Sequence, residues 1–153
     1  QEFQQGRSQD EYNQRYYDEI LAQVKNYHDY SVLGHLDLIA RYDKAGIYPF
    51  AKIRDKIAEI LKIVIADGKG MELNTSSVRY KIHNVQGEPE LTPSKEILAL
   101  YKELGGRIIT VGSDSHKPEH LGAYIAEQSQ ELKKLGFKEI CTFEKMQPIF
   151  HKL

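Results

Sequence analysis

Apolar residues recur at helical spacing along the first part of the chain. Tyr12, Tyr16, Ile20, Val24 and Tyr27 fall on one stripe, with Tyr17 and Leu21 beside it. This period predicts a helix running to about Tyr27 whose aromatic face packs into a core. Ser8 and Glu11, just ahead, have the S-x-x-E form of a capping box. A second apolar face, formed by Ile53, Ile57, Ile60, Leu61, Val64 and Ile65, predicts a helix opened by Pro49 and closed at Asp67-Gly68. A third helix is expected from a Thr92-Pro93 cap to Leu104, a fourth from Pro118 to Leu135, and a last helical turn over 148–153. Short apolar runs at 31–35, 70–74, 107–112 and 138–143 read as strands. Residues 75–91, with Gly87 and Pro89, read as a long polar loop, a feature that in a compact domain usually serves function.

Helices alternating with short apolar strands predict a parallel α/β architecture, here as one domain over residues 1–153. A doubly wound sheet and a barrel both satisfy that alternation. Four strands do not close a side-chain-filled barrel, which takes about eight. Such barrels usually need about 250 residues, so a barrel reading implies that much of it lies outside this sequence. Gln1 stands where an initiator methionine would, which fits a truncated start.

Charge and cysteine content narrow the partners. The net charge is −1, from 21 basic and 22 acidic residues, so no basic surface is set up to neutralise a nucleic-acid backbone. No apolar run approaches the length of a membrane span. Cys141 is the only cysteine, which rules out an intrachain disulfide and suits a reducing, cytoplasmic setting.

Candidate chemistry sits where three strands end, the usual place for functional groups in parallel α/β folds. The first strand ends in Gly34-His35-Leu36-Asp37, the second carries Glu72 and Asn74, and the third ends in Gly112-Ser113-Asp114-Ser115-His116. Asp114 and His116 are two apart, so on an extended chain they face the same side. A hard oxygen beside an imidazole suits zinc, manganese or iron; a turn in which Asp114 bonds its own backbone and His116 caps the next helix is equally compatible. His35 reads as a core histidine or as a ligand, and Asp37 favours the ligand because metal-bound imidazoles often donate to a carboxylate. Glu72 and Asn74 read as groups behind such a site or as strand caps. Arg41 and Arg79, a few residues past strand ends, are candidate phosphate-binding cations or surface residues. His83 lies in the long loop, where it could cover a site.

Taken in order, Gly34-His35-Leu36-Asp37, Glu72-Leu73-Asn74-Thr75-Ser76 and Gly112-Ser113-Asp114-Ser115-His116 resemble the polymerase-and-histidinol-phosphatase (PHP) superfamily of metal-dependent phosphoesterases, and residues 32–42 look most like its histidinol-phosphatase branch. The resemblance covers essentially the whole chain. It implies a partial PHP-type barrel of seven parallel strands, with the N-terminal strands missing, and a centre of two or three divalent ions. It makes His35, Asp114 and His116 metal ligands, with Asp114 and His116 catalytic. The family's early His-x-His ligands have no counterpart here. The chain is therefore expected to be a C-terminal portion, inactive alone and prone to self-associate through the edge of its first strand. The implied reaction is hydrolysis of a small phosphate ester, L-histidinol phosphate first. The alternatives are another phosphate ester or a non-catalytic binding module.

Overall fold

A computed structural model describes residues 4–84 and 87–153. The first helix, α1 (Gln9–Asn26), begins at the expected capping box: Ser8 accepts from the Glu11 amide, and the Glu11 carboxylate accepts from the Ser8 amide at 2.8 Å. Two otherwise orphaned donors are thereby satisfied. Tyr12, Tyr17 and Val24 are buried, whereas Tyr27, at the C-cap, is 56% exposed. The buried stripe is thus rotated from the one read off the sequence, and the last tyrosine of that stripe lies on the surface.

The helix α2 (Arg54–Ala66) buries Ile57, Ile60, Leu61 and Val64. Pro49 precedes a 3-10 turn, Phe50–Lys52, rather than opening the α-helix itself. The strand β1 (Val32–Leu33) is shorter than the expected five residues, and a 3-10 turn at Leu38–Tyr42 follows it. The central strand β2 (Gly70–Asn74) pairs in parallel with β1 on one side and with β3 (Ile109–Gly112) on the other. All three strands therefore point their C-terminal ends to one edge of the sheet.

Several expectations are corrected. Residues 75–91 are not one irregular loop: α3 (Ser76–Tyr80) forms at once after β2, and His83 then bridges Pro89. The helix α4 (Lys95–Glu103) is capped by Ser94, not by Thr92-Pro93, because the Ser94 hydroxyl accepts from the Ile97 amide. Pro118 opens only a 3-10 turn, Pro118–His120, and α5 (Ile125–Lys134) starts later. The fourth strand, β4 (Glu139–Glu144), does not extend the parallel sheet. It pairs antiparallel with β5 (Gln147–Lys152) in a sheet of its own, and β5 replaces the expected final helical turn. Lys145 and Met146 both adopt positive φ, the geometry a two-residue hairpin turn demands.

One core joins these layers. Met71, Leu73 and Ile109 from the sheet, Ile60 and Leu61 from α2, Leu98 and Tyr101 from α4, and Leu132 from α5 are fully buried in it. The fold is α/β with a three-stranded parallel sheet.

Candidate metal and phosphate site

Glu72 lies on the middle strand and ties the three strand ends together. Its Oε2 accepts from the His35 amide at 3.1 Å and from Asn74 Nδ2 at 3.3 Å. Its Oε1 presses against Gly112, where a Cβ would lie 2.3 Å away. Glycine at 112 is therefore what lets the carboxylate reach across from β2 to the end of β3.

Asn74 extends the chain of bonds. Its Oδ1 accepts from the Ser76 amide at 3.0 Å and from the Ser76 hydroxyl. That hydroxyl in turn accepts from Arg41 Nη2, and Arg41 Nη2 lies 3.6 Å from Asp114 Oδ2. A continuous polar path thus runs from Glu72 through Asn74, Ser76 and Arg41 to Asp114. The guanidinium Cζ of Arg41 sits 3.9 Å from the centroid of the Tyr80 ring. Its Nε is buried without a partner.

Arg79 serves the same turn through the backbone. Nη1 donates to the Ser113 carbonyl at 2.8 Å and Nη2 to the Asp114 carbonyl at 3.0 Å. His116 Nδ1 lies 3.0 Å from that Asp114 carbonyl. A carbonyl oxygen only accepts, so Nδ1 carries the proton and the Nε2 lone pair is left free on an exposed ring. Asp114 Oδ1 is 3.7 Å from His116 Nδ1. Both His35 and Asp114 hold positive φ, 29° and 47°, a conformation costly for residues with a Cβ.

Among the described residues, no group of three or more His, Cys, Asp or Glu side chains is gathered to hold an ion. Asp114 and His116 nonetheless suit one edge of a metal site: an imidazole with its outer nitrogen free stands beside a carboxylate whose backbone is pinned. His35 is exposed at the end of β1 and is joined to this network by its amide. An open cavity of about 580 Å³ borders the turn, walled by Arg79, Tyr80, Asp114, His116, His120 and Tyr124 among others. His83 lines a different cavity, with Lys81, Glu88 and Gln128.

Asp37 occupies a different place from the one expected of it. Its Oδ2 accepts from the Ser94 amide at 2.8 Å, at the start of α4, and its Oδ1 is buried without a partner. Burial raises its pKa to about 7, against the lowering effect of the Ser94 amide. The carboxylate thus anchors α4 below the strand ends. Sequence reasoning missed the contacts of Ser76 and Tyr80 with Arg41: Ser76 entered it only as the last residue of the Glu72–Ser76 motif, and Tyr80 not at all.

Comparison with known proteins finds relatives along most of the chain. The family model of the PHP domain matches residues 1–76. A Thermotoga maritima protein named "Probable histidinol-phosphatase" is 37% identical over 123 residues, which is 80% of this chain and 47% of that relative. Over most of its length the chain is similar to proteins named histidinol-phosphatases, and over its first 76 residues to the PHP domain. The histidinol-phosphatase of Lactococcus lactis is 32% identical over 150 residues, 95% of this chain and 52% of the relative. The crystal structure of histidinol phosphate phosphatase from Lactococcus lactis, complexed with zinc, L-histidinol and phosphate, matches with a TM-score of 0.75 at 30% identity, over 97% of this chain and 54% of that one. The chain spans about half the length of the curated relatives it matches.

Proposed function

We propose that these residues form part of a metal-dependent phosphomonoesterase that hydrolyses L-histidinol phosphate. The observation that carries the reading is the convergence of three strand ends on the Asp114–His116 turn, through the path from Glu72 to Arg41. Its support from relatives is the Lactococcus lactis structure with zinc, L-histidinol and phosphate. In this reading the three-stranded sheet is a section of a seven-stranded PHP barrel.

His35, Asp114 and His116 would hold divalent ions, zinc in the first instance, with manganese and iron compatible with the same donors. Bound ions would supply charge neutralisation for phosphate oxygens and activation of water near neutral pH. The chain's own groups do the rest. The proton on His116 Nδ1, fixed by the Asp114 carbonyl, directs the Nε2 lone pair outward. Arg79 and Arg41 place positive charge beside the turn, which favours a phosphate ester in the adjoining cavity. Asp37, Glu72 and Asn74 act behind these groups: Glu72 and Asn74 hold the strand ends together, and Asp37 anchors the helix beneath.

The described residues provide one edge of such a centre, so turnover by residues 1–153 alone is expected to be weak. The test is phosphate release from L-histidinol phosphate with added zinc or manganese. It compares this chain, a version extended to the length of its relatives, and a panel of other phosphate esters. Preferential release from histidinol phosphate supports the reading. Equal turnover of all esters points to another phosphate ester as substrate, and no turnover by either version points to a binding module.

A further inference from the structure

We infer that Thr75 is a positioning residue: it clamps both ends of the segment 113–124 and so holds the wall of the cavity beside Asp114 and His116 in place for a substrate. The inference rests on the phosphoesterase reading above and deepens it, by naming what shapes the substrate's side of that site. Thr75 follows β2 and is fully buried. Its amide donates to the Gly112 carbonyl at 2.8 Å, where β3 ends and the segment begins. Its hydroxyl donates to the Ala123 carbonyl at 2.6 Å, where the segment runs into α5. A carbonyl only accepts, so the hydroxyl's one proton is committed to Ala123.

Thr75 stands at the N-cap of α3, where a threonine hydroxyl ordinarily accepts from an amide of the first turn, yet it makes no such bond here. It serves a distant segment instead, 48 positions on. Burial does little to hold that segment's far half: residues 116–119, 121 and 122 are exposed, Leu121 at 81%. A cross-tie from the Gly122 amide to the Ser113 hydroxyl, at 3.2 Å, joins its two arms. Tyr124 holds φ at 63°, a left-handed conformation that persists only where the surroundings impose it, and the preceding carbonyl is the one Thr75 grips. Lys117, Glu119, His120, Ala123 and Tyr124 all line the cavity of about 580 Å³.

The two halves of the segment are held independently. Arg79, on α3, pins the Ser113 and Asp114 carbonyls at 2.8 and 3.0 Å, so the Asp114–His116 turn keeps its place when Thr75 lets go of Ala123. Loss of the Thr75 hydroxyl therefore loosens the cavity wall and spares the turn. The kinetic signature is weaker substrate binding with unchanged chemistry, a raised KM at constant kcat. A merely structural defect behaves otherwise: it removes active molecules, which lowers apparent kcat and leaves KM alone.

Thr75→Val keeps the side chain's shape and removes the donor, whereas Thr75→Ser keeps the donor. Amide hydrogen exchange of residues 1–153, without metal, reads the clamp. In Thr75→Val, amides of 117–124 are expected to exchange about fivefold faster, while those of β2 and of 113–115 are unchanged and Thr75→Ser stays near the parent. Phosphate release from L-histidinol phosphate with zinc, by the version extended to the length of its relatives, reads the wall. KM is expected to rise about tenfold in Thr75→Val with kcat within about twofold, and Thr75→Ser to recover most of that loss. Should Thr75→Val fail to fold, Ser113→Ala, which frees the Gly122 amide, is expected to give the same pattern more weakly. Unchanged exchange in 117–124, or a fall in kcat at unchanged KM, overturns the inference. An extended parent that releases no phosphate overturns the phosphatase reading and the wall's role with it, whereas the clamp is decided by exchange alone.

Discussion

Replacing Gly112 with alanine isolates what the Glu72 carboxylate does. The new Cβ would stand 2.3 Å from Glu72 Oε1 and 3.3 Å from its Cδ. Carbon–oxygen contacts settle at about 3.3 Å, so the carboxylate must retreat by roughly 1 Å. Its bonds to the His35 amide at 3.1 Å and to Asn74 Nδ2 at 3.3 Å cannot both survive that move. Losing such charge-assisted bonds costs about 1.5–3 kcal/mol, against only a few tenths for the extra methyl on an open surface. With a urea slope of about 1–3 kcal/mol/M, the unfolding midpoint should fall by about 1 M. Gly70→Ala is the contrast, because there the Cβ meets the Ile108 carbonyl at 2.3 Å and backbone cannot withdraw as a side chain can. It should cost more. The decisive measurement is a double-mutant cycle: adding Glu72→Ala to Gly112→Ala removes the clash, so the two costs should sum to more than the cost of the pair. Strict additivity, or a silent Gly112→Ala, would refute the close-approach argument.

Two further outcomes follow from other parts of the fold. Asp37 binds its proton up to about pH 7 when folded but releases it near 3.8 when unfolded, so its contribution to stability is full below 3.8 and fades as pH rises through 7. Asp37→Asn never ionises; urea unfolding should show its advantage over the parent growing between pH 4 and 8, by up to about 4 kcal/mol at about 1.4 kcal/mol per unit, and a flat difference would count against a buried, poorly paired carboxylate. The two-residue β1 forms one edge of the parallel sheet, so the chain should self-associate there; a single monomeric mass by light scattering at high concentration would rule this out.

How far the sequence could be read depended on whether a feature was local. The Ser8–Glu11 cap and the α2 face were legible because their partners lie within a few residues. So were the positions of β2 and β3, whose apolar runs each follow glycines. The hairpin was not: Pro148 suggested the start of a helical turn, and Lys145-Met146 lacks the Asn-Gly or Asp-Gly chemistry that announces a two-residue turn. The α3 helix, with Val78 as the one aliphatic residue among Ser76, Ser77, Arg79 and Tyr80, offered too little periodicity to read. At the site, the spacing of Gly34-His35 and Asp114-x-His116 located the strand ends. Where each side chain points was beyond its reach. Arg41 meets Ser76 across 35 positions, and Asp37 meets Ser94 across 57, so only the folded chain reveals these contacts.

The antiparallel hairpin is fastened to the rest of the molecule by side chains rather than by backbone pairing. Arg107, just before β3, reaches Glu139 at 2.9 Å and stacks 4.2 Å from the Phe150 ring, and Cys141 is buried behind them. Such a seam can part without unzipping either sheet, so β4 and β5 should shed their amide protection as a unit, ahead of β2. The strand bearing the Asp114 turn lies along that seam, which makes the hairpin a removable brace: the site's rigidity is adjustable from the far side of β3, by whatever tightens or loosens those few clasps.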